Sequence, residues 1–546
     1  MTAAKPEAQE KLHISPEMIS AAENLIGLTF TEAERELMLE NVNQNLAHYE
    51  ELRQVNLANS VPPALRFDPR LPGLFPAQRP RQTPLTLSPV SPPAMPANRA
   101  ELAFYPVTDL AHLLKTQQIT SVALTGLYLE RLKRYGPQLE CVITLTEDLA
   151  LAQAGRADEE IAAGRYRGPL HGIPWGAKDL LATKDSPTTW GATPYKEQAF
   201  ELDATVVQRL EEAGAVLVAK LTMGALAWGD VWFGGQTKSP WKLAEGSGGS
   251  SAGSGAATAA GLVGFSIGTE TYGSIVSPST RCGLSGLRPT FGRVSRHGAM
   301  ALSWSMDKIG PMCRSVEDCA LVFAAIYGPD GQDPTVIDAP FAWPPDLNLA
   351  GLRLGYVKSA FEAERENKAN DDQTLAILAS LGANLIPIEL PTDSPLKAIE
   401  LCLWVEAAAA FDELTRSNRD DLLLRQVKDA WPNMFRQARL IPAVEYIQAN
   451  RIRTLLMQAM AGLMAQVDVY LAPSFSDNLL LTNLTGHPAV VLPNGSAENG
   501  LPTSITFIGR LYEEATVLAV AKAYQEATDF HRQQPPLFRG DYERGK

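Results

Sequence analysis

Serine hydroxyls set in glycine turns are the first chemistry this chain offers. Residues Gly246 to Gly255 read GSGGSSAGSG and hold only Gly, Ser and Ala. They lead into an alanine-rich helical segment and then an apolar strand, Val263 to Ile267. A second glycine turn, GTETYGSIVSPS from Gly268 to Ser279, follows directly. A serine on such a turn can present its hydroxyl together with backbone amides able to stabilise a tetrahedral oxyanion. Two other readings compete. Gly/Ser runs often form flexible linkers, although a linker seldom lies between buried elements. A Walker phosphate loop needs lysine followed by Ser or Thr, and this segment has no lysine.

A hydroxyl becomes a nucleophile only when something accepts its proton. None of the seven histidines (His13, His48, His112, His171, His297, His487 and His531) sits in a recognisable triad motif. The remaining base is Lys178, in HGIPWGAKDLL. A lysine is by default a solvated surface charge. Burial would lower its pKa and make the neutral amine accessible near neutral pH. The residue types alone leave that choice open.

Such groups need a rigid frame. From about residue 103 to 535, helical and strand patterns alternate. Asp203 to Ala213, Val316 to Tyr327 and Glu513 to Phe530 predict helices. Val216 to Leu221, Leu352 to Val357, Val467 to Leu471, Ala489 to Leu492 and Ser504 to Ile508 predict strands. This alternation implies an α/β domain with a mostly parallel sheet covered by helices. A largely helical stretch, about 395 to 466, interrupts it and is expected to form part of a substrate lid. Upstream, Ser15-Pro16 signals a helix start, and Thr31 with Glu34 forms a capping box. Val42, Leu46, Tyr49 and Leu52 then share one helix face. Two short amphipathic helices cannot bury their stripes alone, so they should pack on the rest of the chain. From Val61 to about Asn98, proline is so frequent that an extended strap is expected.

Composition narrows the function. The 546 residues are 45% hydrophobic, enough for a sizeable core. A formal net charge of −13 argues against a nucleic-acid partner, which would need a basic face. Five scattered cysteines without a CxxC pair speak against a disulfide framework or a zinc site. No apolar run reaches the length of a spanning helix, and the first residues lack a secretory h-region. The expected protein is cytoplasmic, uses no cofactor or metal, binds no membrane and acts on a small molecule. Its oligomeric state cannot be read, which leaves a homodimer open.

Lys178 in GAKD, Ser250 in GGSSAG and Ser274 in TYGSI resemble the three catalytic positions of the amidase signature family, at matching spacing. DATVVQRLEEAGAVLVAKLTM, CGLSGLRPTFGRVSRHG, SWSMDKIGPM and NLTGHPAVVLP resemble further family segments in the expected order. The likeness covers most of residues 105 to 535. It implies an amidase signature fold: a mixed, mostly parallel twisted sheet with helices on both faces. It implies a Ser-cisSer-Lys triad, with the Gly249–Ser250 peptide cis, Ser274 as nucleophile, Ser250 as relay and Lys178 as base. The oxyanion hole would be the amides of Thr271, Tyr272, Gly273 and Ser274. Tyr272, Gly249 and Ser251 would contact substrate, and Thr269 with Ser251 would support the triad.

The family's nucleophile segment often reads GTDTGGSIR, and this chain departs from it. Glu270 replaces Asp, Tyr272 replaces Gly and Val276 replaces Arg. An aromatic Tyr272 would wall the acyl pocket, and the lost cation disfavours substrates with a free carboxylate. The resemblance therefore implies an amidase acting on linear C–N bonds of small neutral or aromatic carboxylic amides. An esterase or carbamate hydrolase on the same triad, and an amidotransferase A-type subunit supplying ammonia to a partner, are the alternatives. The segment ISPEMISAAENLIGLTFTEAERE with LAHYEELRQVNL also resembles the C subunit of bacterial tRNA amidotransferase. The expected organisation is a helical segment over 1–61, a strap over 62–102 and a catalytic domain over 103–546.

Overall fold

A computed structural model describes residues 13–55, 65, 85–87, 95–345, 348–391 and 393–539. Most of the proline-rich strap expected over 62–102 lies outside the described residues. Eleven strands form one sheet: β1 (Val142–Leu145), β2 (Pro174–Lys178), β3 (Val216–Leu221), β4 (Phe265–Glu270), β5 (Ser285–Arg288), β6 (Lys308–Cys313), β7 (Arg353–Val357), β8 (Asn384–Ile388), β9 (Val469–Pro473), β10 (Ala489–Ser496) and β11 (Pro502–Gly509). Their order is β1-β3-β2-β4-β6-β5-β10-β11-β9-β7-β8. The sheet is mixed. Its parallel pairs fall in two blocks, β3-β2-β4 and β9-β7-β8, joined through antiparallel strands. The expected mostly parallel sheet thus holds within each block. Helix–strand alternation does not reveal the antiparallel strands between them.

All five residues of β2 are buried, and so are all six of β3 and of β4. A central strand covered on both faces has no polar side, which is why β3 reads as a nearly continuous apolar run, whereas Ser266, Thr269 and Glu270 of β4 are buried with hydrogen-bond partners. Trp175 on β2 stacks on Phe265 of β4, with ring centroids 6.1 Å apart. The helix Ser121–Leu139 packs Leu129, Leu132 and Leu139 into the cluster formed by Val216, Val218 and Leu221 of β3. In a parallel block all the strands end on the same side. Lys178, Leu221 and Glu270 therefore come out at one carboxyl edge, the usual place for an α/β active site.

The chain divides into two compact units. One comprises residues 67–391 and 457–546 and contains the sheet. The other comprises residues 1–66 and 392–456. The second unit is helical. Helices α1 (Pro16–Ile26) and α2 (Glu32–Gln54) start where the caps predict. Ser15 Oγ accepts from the Met18 amide at 3.4 Å. Thr31 Oγ1 accepts from the Glu34 amide at 3.3 Å, while Glu34 Oε2 accepts from the Thr31 amide at 2.6 Å. Ile19, Phe30, Met38 and Val42 form its core, with Leu440 packed against them. The stretch expected as part of a lid within the catalytic domain is thus, up to residue 456, the packing partner of the N-terminal helices. Its helical pattern is local, whereas the apolar surface it covers comes from the other end of the chain.

Arg436 ties this unit together. Its guanidinium pairs with Glu34 on α2 at 2.6 Å, with Asp420 at 2.7 Å and with Asp421 at 3.2 Å. Asp420 is 1% exposed. Burial pushes its carboxyl up to about 6, against the pull of Arg436. Removing one partner of a buried pair leaves the other charge uncompensated. Arg436→Met should therefore destabilise the helical unit by about 3 kcal/mol. Hydrogen exchange should accelerate in α2 and stay unchanged in β2 to β4, and equal protection of α2 in both proteins would refute this.

Candidate active site

Lys178 ends β2 and is completely buried. Its Nζ lies 2.8 Å from Ser250 Oγ, 3.0 Å from Ser251 Oγ and 2.8 Å from Thr269 Oγ1, with the Thr269 carbonyl at 3.4 Å. Desolvation lowers its pKa to about 7, against smaller opposing contributions from Asp307 and Glu270. Near neutrality the group is therefore divided between ammonium and amine. A neutral amine carries a lone pair and can accept a proton from a neighbouring hydroxyl.

Hydrogen-bond accounting decides which serine can supply that proton. Ser251 Oγ donates to the Thr269 carbonyl at 3.1 Å and accepts from the Thr269 amide at 3.1 Å. With its proton spoken for, Ser251 can only accept from Lys178. Ser250 Oγ has no other partner among the described residues, so its proton can turn to the amine. Ser251 had been expected to contact substrate. Wholly buried and fully bonded, it holds Lys178 to β4 instead. The Gly249–Ser250 peptide is cis. Gly249 is required by packing, since a Cβ there would lie 1.8 Å from the Gly229 carbonyl oxygen. Helix α3 (Ala252–Ala259) begins immediately afterwards and is buried throughout.

The turn that carries Ser274 joins β4 to helix α4 (Val276–Cys282). Gly273 takes φ +84, a left-handed conformation that glycine adopts without strain. Ser274 is 8% exposed, so its hydroxyl reaches the surface of the site. Its carbonyl accepts from the Ser251 amide at 3.2 Å, which brings the two serine segments together. The Ser274 hydroxyl makes no hydrogen bond among the described residues, so the expected link to Ser250 is open here. Catalytic hydrogen bonds of this kind commonly tighten only in the Michaelis or transition-state complex. The amides of Thr271, Gly273 and Ser274 also donate to no group among the described residues outside the sheet. Amides without such a partner could donate to a bound group. Tyr272 is half-buried on the same turn.

Two carboxylates hold this turn, and residue type and spacing gave neither a role in the site. Glu270 Oε2 accepts from the amides of Ile275 at 2.8 Å and Val276 at 3.0 Å. Its Oε1 accepts from Arg288 and from Asn483, both at 2.8 Å. Burial would raise its pKa, but the Arg288 guanidinium and these donors hold it down at about 2. At the other end, Asp307 Oδ1 accepts from Thr271 Oγ1 at 2.6 Å. Its Oδ2 accepts from the amides of Leu302 at 2.8 Å and Ser303 at 2.9 Å. The signal for Glu270 was present as an acid beside the nucleophile at the end of an apolar strand. Arg288, from a different strand, is the buried cation paired with Glu270.

Known proteins resemble this chain over most of its length. The amidase family model matches residues 123–480. A putative amidase, AmiD, of Mycobacterium tuberculosis is 34% identical over 465 residues, which is 79% of this chain and 96% of that protein. The A-type subunit of glutamyl-tRNA(Gln) amidotransferase from Roseiflexus sp. is 36% identical over 481 residues, 79% of this chain and 98% of that protein. The peptide amidase structure from Stenotrophomonas maltophilia superposes with a TM-score of 0.69 at 30% identity, covering 80% of this chain and 99% of that one. With the fold, the match along most of its catalytic unit and the buried Lys–Ser pair in hand, this chain belongs to the amidase signature family.

Proposed function

We propose that the chain hydrolyses small neutral or aromatic carboxylic amides through an acyl-enzyme on Ser274. The observation that carries this reading is the desolvated Lys178 amine, 2.8 Å from the Ser250 hydroxyl, whose proton no other partner among the described residues holds. Ser274 Oγ attacks the amide carbonyl and forms a C–O bond. Its proton passes to Ser250 as the Ser250 proton passes to Lys178. The oxyanion is met by amides of the Thr271–Ser274 turn. Collapse breaks the C–N bond, and the proton returns through Ser250 to the leaving amine. Water then attacks the ester by the same route and releases the acid. The amidase and peptide amidase relatives support this class of reaction. A matched ester could enter the same cycle, because the acyl-enzyme is itself an ester.

Likeness to the A-type chain of an amidotransferase favours a second reading, in which the released ammonia is passed to a partner enzyme. The helical segment α1–α2, which resembles the C-type chain of the same enzyme, points the same way. Hydrolysis of simple amides by the purified chain alone, at rates that added partner does not raise, would set this reading aside.

Ser274→Ala should abolish turnover, and Lys178→Ala should lower kcat by at least about a hundredfold, the range of general acid–base contributions. Steady-state assays of ammonia release test both, and wild-type-like rates in either variant would refute the assignment. Below pH 7 Lys178 is an ammonium and cannot accept a proton; above pH 7 it is an amine. The value of kcat/KM should therefore rise through a single limb near pH 7 and level off above it. A rate that is flat between pH 5.5 and pH 8.5, or that falls with rising pH, would contradict Lys178 as base.

A further inference from the structure

Among the described residues two lysines are wholly buried, and the proposed reaction uses only Lys178. The other, Lys220, lies on β3 beside the end of β2. Its Nζ is 3.0 Å from Asp179 Oδ1, and Asp179 is wholly buried too. The same Nζ donates to Thr188 Oγ1 at 2.8 Å and to the Pro187 carbonyl at 3.3 Å. The second carboxylate oxygen, Oδ2, accepts from the Thr189 amide at 2.8 Å and from Thr189 Oγ1 at 2.5 Å. A buried ion pair offsets its desolvation only with such additional hydrogen bonds. Here all of them go to one loop, residues 187–189.

From this loop a line of backbone hydrogen bonds leads to Ser250. The Trp190 amide donates to the Asp179 carbonyl at 3.2 Å, and the Trp190 carbonyl accepts from the Leu226 amide at 3.0 Å. Leu226 belongs to the turn 224–229, whose Gly224 amide donates to the Ser250 carbonyl at 3.2 Å. Gly229, at the end of that turn, packs its carbonyl against Gly249. Trp190, Leu226 and Ala227 take φ +53, +50 and +66. Residues other than glycine keep this left-handed conformation only where surrounding contacts over-determine it. The buried pair holds one end of the line, and the Ser250 segment holds the other.

Asp179 directly follows Lys178 in the chain. Lys178 meets the Ser250 hydroxyl at 2.8 Å, and Asp179 reaches the Ser250 carbonyl by way of Trp190 and the 224–229 turn. Both ends of the serine are thereby referred to adjacent residues at the end of β2. A shift of the 187–191 loop would displace the Ser250 backbone while Lys178 stayed with its strand, and would lengthen the path of the proton. We propose that Asp179, paired with Lys220, is a positioning residue that fixes Ser250 relative to Lys178. The inference rests on the serine amidase reading above.

An amide and the p-nitrophenyl ester of the same acid separate this role from a general loss of structure. A leaving amine must receive a proton through Ser250, whereas p-nitrophenolate departs without one. Asp179→Asn keeps the side-chain shape but leaves the Lys220 charge without its partner. It should lower kcat/KM at least about tenfold more for the amide than for the ester, because small misplacements of reacting groups cost up to about a hundredfold. Thr189→Val leaves both charges in place and deletes only the hydroxyl bound to Asp179. It should give a smaller loss with the same selectivity, and Thr189→Ser should restore the amide rate. This second pair decides the matter if Asp179→Asn does not fold. Equal losses on the two substrates, or no loss, in the folded variant overturn the positioning role while the unmodified chain still hydrolyses the amide. If the unmodified chain does not hydrolyse the amide, the underlying reading falls and this inference with it.

Discussion

An amine removed from water underlies the whole site. Lys178 lies at the end of a strand buried on both faces, among hydroxyls and a carbonyl. Desolvation disfavours its charged form and brings the lysine into the range where it can work as a base. The same burial would be costly if the nitrogen were unsatisfied. Ser251 and Thr269 meet that need while leaving the Ser250 proton uncommitted. A solvated lysine at this position would stay charged, so the proposed role of Lys178 as a base depends on the packing of β2 between β3 and β4.

The nucleophile turn depends on a second set of interactions. Glu270 is fully buried and remains ionised because Arg288, Asn483 and two turn amides surround it. Asp307 holds the opposite end through Thr271. Between them the turn is held on both sides by acceptors, which fixes the direction of its remaining amides. Electrostatic stabilisation of an oxyanion works through such preorganisation, because donors already in place need not reorient during the reaction.

The helical unit has its own logic. Helices in proteins draw most of their stability from packing one face on a partner. In this chain α1 and α2 find their apolar partner in residues 393–456, far away in sequence. Arg436 adds a polar tie between α2 and that insertion.

Much of the site was legible in the sequence. Lys178, Ser250 and Ser274 were marked by residue type and family spacing, and the caps at Ser15 and Thr31 by local chemistry that acts within four residues. Strand β3 showed as a nearly continuous apolar run because burial on both faces leaves no room for polar alternation. Other features depend on contacts between distant segments, which carry no local signal. The antiparallel joints between the two parallel blocks are of this kind, as is the pairing of Arg288 with Glu270 across β6. So too are the confinement of Ser251 to Thr269 and the partnership of the N-terminal helices with residues 393–456. Residue type and spacing thus determined by themselves which groups could react. Only the tertiary structure decided that Lys178 is desolvated among hydroxyls while the equally buried Lys220 pairs with Asp179, and which of the two serines beside Lys178 has a proton to give, because desolvation and hydrogen-bond competition are set by neighbours in space.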